Sequence, residues 1–370
     1  MRGASIFHIA LLFFVLVFSF CNKKRSNGSP APPADVIRIV KQNLQHVWEM
    51  VWGPDDHIWF TERDGRISKI NPSNGNIVFT ASISEVVSNG EGGLLGLALH
   101  PDFLSNGQLY VVYNYNSPQG YREKVVRFTF INNSIGSPFT IIENIAASSI
   151  HNGSRIRVVN ESGGVKIYFT TGDASNTLLS QDVNSRNGKV LRLNQDGSIP
   201  ADNPIANNPL WSMGHRNPQG LIFANGKLYA SEHGPNIEDE LNIIEKGRNY
   251  GWPNVNGPCN GSETTFCTNN NIKEPIWSSG DATIAVCGID YYNSDKIAEW
   301  KNSILMTTLK DASLRQLKLS TDGNSVVSTS IYFKNEYGRL RDICVSPTGD
   351  VYICTSNGGN GDKIIEISRL

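Results

Sequence analysis

The sequence predicts an all-β protein, a six-bladed β-propeller, because it is rich in turns, repeats a turn-and-strand unit and lacks helical periodicity. The chain of 370 residues contains 34 glycines and many Asn-Gly and Asp-Gly pairs. Such pairs are typical of tight turns between antiparallel strands. With 39% hydrophobic residues, the chain can form a large core. Closed all-β folds of this length form a single unit, so the length does not require two domains.

The repeated unit is a small turn followed by an apolar, aromatic strand. Its clearest copies begin at Trp52, Leu99, Gly164, Ala224 and Ser346. The last gap is about twice as long as the others and leaves room for a degenerate copy near Asp290 to Met306. Six units of roughly 50–60 residues fit the period of propeller blades. We expect a strand at residues 36–41 to join the blade that contains the C-terminus.

The first 35 residues are expected to precede a propeller domain at residues 36–370. Arg2 is followed by an apolar run from Ile6 to Phe20, which is shorter than the roughly 20 residues that span a bilayer. We therefore interpret residues 1–21 as a signal peptide and residues 22–35 as a polar linker. The pattern around Cys21 resembles a bacterial lipoprotein signal, which implies export to the periplasm or cell envelope, with a lipid anchor as the membrane attachment. Phe20 departs from that pattern, since a small residue normally stands there, and ordinary secretion is the alternative.

Charge and cysteine content narrow the function further. The formal net charge is -1, with 33 basic and 34 acidic residues, which argues against a nucleic-acid-binding protein. No G-x-G-x-x-G segment follows a strand and opens a helix, so a nicotinamide cofactor is not predicted. Export permits a disulfide between Cys259 and Cys267, in a loop rich in Gly, Asn and Ser. Cys287, Cys344 and Cys354 lie in strand-like runs, where the last two either face each other across a hairpin or are buried free thiols.

Several loop segments carry more chemical groups than plain propeller turns need. They are residues 90–98, 151–155, 168–173, 188–200, 214–220, 231–240 with 249–253, and 337–342. Propellers bind ligands on loops around the central channel, so the chemistry is expected here. In this order, and from about residue 48 to the C-terminus, the segments resemble the soluble pyrroloquinoline-quinone (PQQ) glucose and aldose sugar dehydrogenases, the glucose/sorbosone dehydrogenase family. The most specific are Gly214-His-Arg-Asn-Pro-Gln-Gly220 and Glu232-His-Gly-Pro-Asn236.

The resemblance implies the catalytic residues. His151 would be the general base, because a neutral imidazole can accept a hydroxyl proton. Asp173 would orient His151, and Arg216 and Asn217 would contact the quinone, with Arg216 stabilising charge on its oxygens. Without the resemblance, His151 would be interpreted as a structural loop histidine and Asp173 as a turn residue.

The resemblance also implies a cationic site for the three carboxylates of the quinone. Lys310, Arg339 and Arg341 would form it, since arginine suits bidentate contacts with carboxylates. Otherwise these residues would be ordinary solvated charges. Glu91 stands where the best-studied glucose branch of the family has glutamine, and it would contact the edge of the cofactor. This substitution favours a broad aldose specificity.

Calcium is the implied metal. It is a hard cation that binds oxygen ligands, including backbone carbonyls. Gly234 and Pro235 match positions whose carbonyls bind the catalytic calcium in the family, although they would also suit a simple turn. Glu240 and the carbonyl of Tyr250 resemble a further calcium site of the aldose branch.

The implied reaction is oxidation of an aldose sugar at its anomeric carbon to a lactone. Electrons would then pass from the reduced quinone to an external acceptor, a quinone or a cytochrome. One alternative is a calcium-dependent propeller lactonase, which would not need Lys310, Arg339 and Arg341. The other is a non-enzymatic binding propeller at the cell surface, which could have lost His151 or Arg216, although both are present.

Overall fold

The computed structural model describes residues 36–370 and consists of six four-stranded sheets. The predicted signal peptide at residues 1–21 and the linker at residues 22–35 lie outside the described residues. Every paired strand within the sheets is antiparallel to its neighbour. The prediction of a six-bladed β-propeller is confirmed.

The strands follow one another blade by blade. β1 spans Ile37–Leu44. The first blade contains β2 (Val47–Trp52), β3 (Ile58–Glu62), β4 (Arg66–Ile70) and β5 (Ile77–Ser82). The second contains β6 (Leu94–Leu99), β7 (Gln108–Ser117), β8 (Gly120–Ile131) and β9 (Ser134–Ala146). The third contains β10 (Gly153–Glu161), β11 (Gly164–Thr171), β12 (Lys189–Asn194) and β13 (Leu210–Met213).

The second half of the chain forms the other three blades. The fourth contains β14 (Pro218–Ala224), β15 (Lys227–Glu232), β16 (Glu240–Ile244) and β17 (Trp277–Ser278). The fifth contains β18 (Val286–Tyr292), β19 (Ser303–Thr308), β20 (Leu314–Leu319) and β21 (Val326–Tyr332). The sixth contains β22 (Leu340–Val345), β23 (Val351–Thr355), β24 (Asp362–Ile367) and β1. Short helices lie in the connections: α1 (Phe103–Asn106), α2 (Thr264–Asn269) and the 3-10 helices Thr177–Ser180, Gly261–Glu263 and Ala298–Trp300.

The first strand of each blade packs against the first strands of both neighbouring blades, and the ring closes between β2 and β22. β1 pairs with β24, with Ile37 opposite Ile367. The N-terminal strand is therefore the outer strand of the last blade, as the sequence predicts. This arrangement joins the two ends of the described chain within one sheet.

Six hydrophobic clusters form the core, one between each pair of neighbouring blades. Between the first two blades, Trp59 packs edge-on against Phe130, with ring centroids 4.9 Å apart. Because each sheet is covered on both faces, a strand such as β3 is buried along its whole length. This explains why its sequence is a nearly continuous apolar run and does not alternate.

The repeated turn of the sequence joins the first and second strands of each blade. In the fourth blade, Asn225 and Gly226 form this turn with positive φ values of 50° and 70°, the backbone that an Asn-Gly hairpin turn requires. The sixth copy lies at β18 and β19, as predicted. It is degenerate because a connection that contains the 3-10 helix Ala298–Trp300 replaces the tight turn.

The structure contains the disulfide that the sequence permits, and it decides between the two alternatives for Cys344 and Cys354. Cys259 and Cys267 form a disulfide in the connection between β16 and β17. Cys287, Cys344 and Cys354 are buried free thiols. Cys344 lies opposite Tyr352 in the sheet, not opposite Cys354. Within residues 36–370, no helix is long and apolar enough to cross a membrane.

Candidate active site

The topology brings the predicted site residues to one end of the ring, which we call the site end. In antiparallel four-stranded blades, the loops that enter the first strand lie at the same end as the loops between the second and third strands. Glu91, His151, Arg216 and Arg339 precede the first strands of their blades. Asp173, Gly234 and Lys310 follow second strands. Residues from five of the six blades therefore meet at this end.

His151 and Asp173 form a hydrogen-bonded pair. His151 Nδ1 lies 2.8 Å from Asp173 Oδ1, and the Asp173 side chain is fully buried while that of His151 is 16% exposed. An ionised carboxylate only accepts hydrogen bonds, so Nδ1 carries the proton of a neutral imidazole. Nε2 has no protein partner among the described residues. The imidazole therefore has one ring nitrogen free to accept a proton, as a general base must.

The backbone of His151 is held as tightly as its side chain. His151 has a positive φ of 59°, and its carbonyl accepts a hydrogen bond of 3.1 Å from the N–H of Ala174. Its own N–H donates to Glu91 Oε2 at 3.2 Å. A Cβ atom at Gly172 would lie 1.9 Å from the His151 carbonyl oxygen, so only glycine fits there. Glu91 thus supports the catalytic loop, and its contact with a cofactor stays a prediction.

Arg216 and Asn217 are positioned by one buried carboxylate. Glu232 Oε1 accepts the backbone N–H of Arg216 and, at 3.2 Å, that of Asn217. Asn217 is 1% exposed, and its Oδ1 accepts the N–H of Gly153 at 3.1 Å. Asn217 therefore links this loop to the His151 loop, a role that the sequence did not indicate. Its predicted contact with a quinone remains a prediction.

The Arg216 guanidinium lies in a partly buried place without an acidic partner. Its carbon lies 5.4 Å from the ring centroid of Trp252. Burial lowers the pKa of Arg216 below its usual value, although Asp173 and Glu232 act in the opposite direction. It forms no ion pair with a described residue. An arginine in this state favours an anionic ligand.

The predicted cationic residues are also unpaired. Arg341 is 7% exposed; its Nη1 donates to Gln219 Oε1 at 2.7 Å, and its Nε is buried without a partner. Arg339 and Lys310 are exposed, and Lys310 Nζ contacts only a hydroxyl, that of Thr283 at 3.1 Å. Within the described chain, no carboxylate pairs with any of these three. This environment fits a ligand that carries several carboxylates.

A buried ion pair connects the first strands of several blades. Arg155 is fully buried, and its Nη1 lies 2.7 Å from Asp342 Oδ1 and 3.2 Å from Glu49 Oε1. Its guanidinium also lies 4.2 Å from the ring centroid of Trp48. Its Nε donates to the Gln219 carbonyl at 2.6 Å. Arg155 on β10 therefore joins the first strands of four blades.

An oxygen-lined cavity of about 20 Å³ lies beside Arg216. That volume admits one water-sized species. Its lining includes all four residues predicted to bind calcium, Gly234, Pro235, Glu240 and Tyr250. None of the carbonyl oxygens of Gly234, Pro235 and Tyr250 accepts a hydrogen bond from a described residue.

The carboxylates around this cavity lack positive partners. Glu238 Oε2 and Asn256 Oδ1 are buried without a hydrogen bond. Burial raises the pKa of Glu240 to about 8, and the nearby charge of Glu232 adds to the effect. Free carbonyl, amide and carboxylate oxygens fit a hard cation such as calcium. No cluster of three or more His, Cys, Asp or Glu side chains in residues 36–370 could hold a metal by itself, so carbonyl oxygens would have to complete the set.

The third acid of this segment has a structural role. Asp239 is fully buried; its Oδ1 accepts the N–H of Gly234 at 2.9 Å. Its Oδ2 accepts the N–H groups of Ile284 and Ala285 at 2.6 and 2.7 Å. Asp239 therefore fixes the turn that presents the Gly234 and Pro235 carbonyls.

A family model and several known proteins match this chain. The family model described as Glucose / Sorbosone dehydrogenase matches residues 44–365. The chain belongs to the glucose/sorbosone dehydrogenase family. It is 30% identical to quinoprotein glucose dehydrogenase B of Acinetobacter calcoaceticus, over 88% of this chain and 86% of that protein. It is 29% identical to aldose sugar dehydrogenase YliI of Escherichia coli, over 91% of this chain and 94% of that protein.

Solved structures of the glucose/sorbosone dehydrogenase type have the same fold. The PQQ-bound aldose sugar dehydrogenase of Streptomyces coelicolor is 30% identical, with a TM-score of 0.76 over 91% of this chain and 99% of that one. The soluble aldose sugar dehydrogenase of Escherichia coli in its apo form is 25% identical, with a TM-score of 0.78 over 89% and 98%. The predicted family and the prediction of a sugar dehydrogenase are confirmed. The lactonase and the non-enzymatic propeller lose their support.

The sequence singled out the segments that contain Trp252 and Glu232 but not the roles of these two residues, and it did not indicate Arg63. Trp252 donates its indole N–H to Asp173, Glu232 holds the Arg216 loop, and Arg63 adds a further unpaired guanidinium at the site end. Burial and the charge of Arg341 lower the pKa of Arg63. Arg63 stands between β3 and β4, the type of loop that contributes Asp173 and Lys310 in other blades. Its place in this type of loop was the feature of the sequence that could have identified Arg63.

Proposed function

We propose that this enzyme oxidises aldose sugars at the anomeric carbon to lactones, with PQQ as cofactor and calcium as metal. The observation that carries the proposal is the His151–Asp173 pair at 2.8 Å, which leaves Nε2 open at the site end. Unpaired cations lie at the same end. The names of the relatives, a quinoprotein and a PQQ-bound dehydrogenase, support the choice of cofactor.

His151 removes the proton of the anomeric hydroxyl. Its Nε2 accepts the proton while Nδ1 stays bonded to Asp173, so the carboxylate stabilises the imidazolium that forms. Asp173 also accepts the N–H of Ser175 at 2.9 Å and the indole N–H of Trp252 at 2.9 Å. These three donors fix the orientation of the carboxylate that holds the imidazole.

The quinone, when bound, supplies the two-electron acceptor that the side chains lack. Arg341, Arg339 and Lys310 would hold its carboxylates. The partnerless Nε of Arg341 is a donor that such an acid would satisfy. Arg216 would stabilise negative charge that develops on the cofactor during the reaction.

Gly234, Pro235, Glu240 and Tyr250 line one cavity with room for one water-sized species. One calcium ion next to Arg216, bound by the three carbonyls and Glu240, would therefore replace the two separate ions that the resemblance implies. A cation here would offset the burial and the nearby charges of Glu232 and Glu238 that together raise the pKa of Glu240. Calcium would supply Lewis-acid polarisation of a bound oxygen.

We further propose that the protein is exported to the periplasm or cell envelope and passes electrons to an external quinone or cytochrome. The apolar segment from Ile6 to Phe20 supports export. The Cys259–Cys267 disulfide fits an oxidising compartment. Cys21 would carry the lipid anchor.

A reconstitution experiment tests the proposed function. The apo-protein is mixed with PQQ and calcium, and a panel of aldoses is assayed with an artificial electron acceptor and lactone analysis. We expect stoichiometric lactone formation and acceptor reduction only when cofactor, calcium and sugar are all present. The same sample is assayed for lactone hydrolysis. Hydrolysis without acceptor reduction would contradict the proposal and restore the lactonase.

A further inference from the structure

Trp252 lies at the centre of the site, although it is neither a charged nor a titratable residue. Its backbone is fixed on both sides: its N–H donates to the Gly214 carbonyl at 3.0 Å, and its carbonyl accepts Gln181 Nε2 at 2.7 Å. The preceding Tyr250 N–H donates to the Met213 carbonyl at 2.9 Å. The segment that carries Trp252 is therefore anchored to the loop that leads into Arg216.

The indole of Trp252 fixes one oxygen of Asp173. Its Nε1–H donates to Asp173 Oδ2 at 2.9 Å, while Oδ1 serves His151 Nδ1 at 2.8 Å. A carboxylate with both oxygens assigned to fixed donors cannot rotate without breaking a hydrogen bond. Because Asp173 is fully buried, no water replaces a lost donor at low cost.

The other side of the same indole faces Arg216, whose guanidinium carbon lies 5.4 Å from the ring centroid. A cation near an aromatic face is attracted by the ring. Trp252 thus contacts the residue that orients the base and also the cation proposed to contact the cofactor. The two contacts use different parts of the side chain, so substitutions can separate them.

We infer that Trp252 is a positioning residue for the dehydrogenase reaction, which orients His151 by holding Asp173 through its indole N–H. The expected loss of kcat rests on the proposed function, whereas the orientation of His151 through Asp173 and Trp252 does not. The hydrogen bonds are those of the protein itself, so they can be measured without cofactor or sugar.

The kinetic experiment uses Trp252→Phe, which removes the N–H and keeps an aromatic ring beside Arg216. We expect kcat for aldose oxidation to fall roughly 10-fold to 100-fold, the range expected when a catalytic group is misplaced. The KM for the sugar and the affinity for PQQ should change less than about 2-fold, because Trp252→Phe retains the contact with Arg216. Trp211→Phe, in another half-buried tryptophan on β13, is the matched control and should behave as the wild type.

A double variant tests whether the effect passes through Asp173. In an Asp173→Ala background, Trp252→Phe should cause less than about a 2-fold further loss of kcat, since the acceptor of the indole is gone. Multiplicative losses in the double variant would overturn the inference. So would a Trp252→Phe enzyme with wild-type kcat.

Nitrogen-15 NMR of the apo-protein supplies the independent measurement. The Trp252 indole N–H signal, assigned by its loss in Trp252→Phe, should shift in Asp173→Ala. The Nδ1–H signal of His151 should be slow to exchange in the wild type and exchange faster in Trp252→Phe. An unchanged His151 signal in Trp252→Phe would overturn the inference. A wild type that fails to oxidise any aldose, yet shows both NMR effects, would contradict the proposed function and leave the positioning role intact.

Discussion

Glu232 and His215 form a buried pair in which one carboxylate organises the loop of the site. His215 Nδ1 lies 2.8 Å from Glu232 Oε2, and His215 is fully buried. The other ring nitrogen lies 2.8 Å from Ser212 Oγ. The imidazole also stacks on Tyr250 at 4.6 Å between centroids. All faces of His215 are occupied, so this motif histidine is structural. His151, which is 16% exposed and whose Nε2 has no partner among the described residues, is the proposed base.

Replacing Glu232 should therefore weaken both the fold and cofactor binding. Glu232→Gln replaces the charged carboxylate, whose oxygens accept the N–H groups of Arg216 and Asn217 and face His215 Nδ1, by a neutral amide with only one acceptor oxygen. We expect the free energy of unfolding to fall by about 1–3 kcal/mol, as for loss of a buried hydrogen-bond partner. The PQQ affinity should fall as well, because the Arg216 loop is less fixed.

Urea denaturation and a PQQ titration measure these two effects. Glu366→Gln is the matched control, since its carboxylate pairs with Arg38 at the partly exposed outer sheet and should contribute less than about 1 kcal/mol. Equal losses of stability in the two variants would show that Glu232 has no special role.

The roles of His151 and Arg216 should separate kinetically. His151→Ala should lower turnover roughly 100-fold to 10,000-fold, the usual contribution of a positioned acid–base group. It should leave the fold and PQQ affinity unchanged, because His151 is a loop side chain outside the cationic site. Arg216→Ala should weaken PQQ affinity as well as the rate.

Steady-state aldose oxidation at saturating PQQ, measured beside a PQQ-binding titration, distinguishes these two outcomes. Near-normal turnover of His151→Ala would remove this residue from the mechanism and make Asp173 the next candidate base.

The fold could be predicted from the sequence because its signal is local. The turn between the first and second strands, such as Asn225-Gly226, is encoded by adjacent residues, and the unit that contains it recurs clearly in five of the six blades. The degenerate copy between β18 and β19 escaped clear detection because a 3-10 helix takes the place of that turn. These turns lie at the end of the ring opposite the site, so the repeat predicts the scaffold without indicating its chemistry.

The site could be predicted only in part. His151 and Asp173 were found by resemblance, and the structure brings them together as expected. The segments that contain Trp252 and Glu232 were singled out, but the roles of these residues were not predicted, because their contacts depend on how separate loops meet. Trp252 lies 79 residues from the carboxylate that it holds. An indole in a Gly-Trp-Pro segment has no charge or spacing that would reveal such a partner.

Calcium removal should abolish the redox activity. The free carbonyls of Gly234 and Pro235 and the unpaired Glu238 carboxylate motivate this expectation. Chelation should stop dye-linked aldose oxidation, and calcium with PQQ should restore it. Glu240→Gln should weaken calcium affinity at least about 10-fold, since a charged oxygen ligand is lost. Pro235→Ala keeps the carbonyl and serves as the control.

Isothermal titration with calcium and metal analysis by mass spectrometry check this expectation. A metal-free sample that reduces the acceptor at the normal rate would exclude calcium from the chemistry.

If the protein is exported, we expect its mature N-terminus to lie at or near Cys21 and not at Met1. Arg2, the apolar run to Phe20 and Cys21 motivate it. Mass spectrometry of the protein from its native host should find the N-terminus at or just after Cys21, with added lipid mass in the lipoprotein case. Cys21→Ser should then release the protein from the membrane fraction. An intact Met1 would be incompatible with cleavage of a signal peptide.

The stability of the second blade should depend on pH through Glu123. Burial raises the pKa of Glu123 from 4.5 to about 8. Its Oε2 accepts the Ser154 hydroxyl at 2.6 Å, and its Oε1 is buried without a partner. Ser154 lies in β10, three residues after His151, so this carboxyl supports the strand that begins directly after the His151 loop.

The direction of this pH dependence follows from proton uptake on folding. Between pH 4.5 and about 8, the folded protein keeps Glu123 protonated and the unfolded chain does not. Folding therefore takes up a proton, and this contribution to stability falls as pH rises, by roughly 1.4 kcal/mol per pH unit. Glu123→Gln removes this dependence and keeps an acceptor for Ser154. The variant should match the wild type near pH 5 and exceed its stability at pH 8.

Urea denaturation across this pH range measures the difference between the two proteins, which cancels the other titrating groups. Glu143→Gln, an exposed position on β9 of the same blade, is the control and should follow the wild type at every pH. The comparison isolates Glu123 because both substitutions remove one carboxylate of the same sheet, and only one of them is buried. Parallel pH profiles for wild type and Glu123→Gln would mean that this carboxyl is ionised in the folded protein, and its second oxygen would then need a donor.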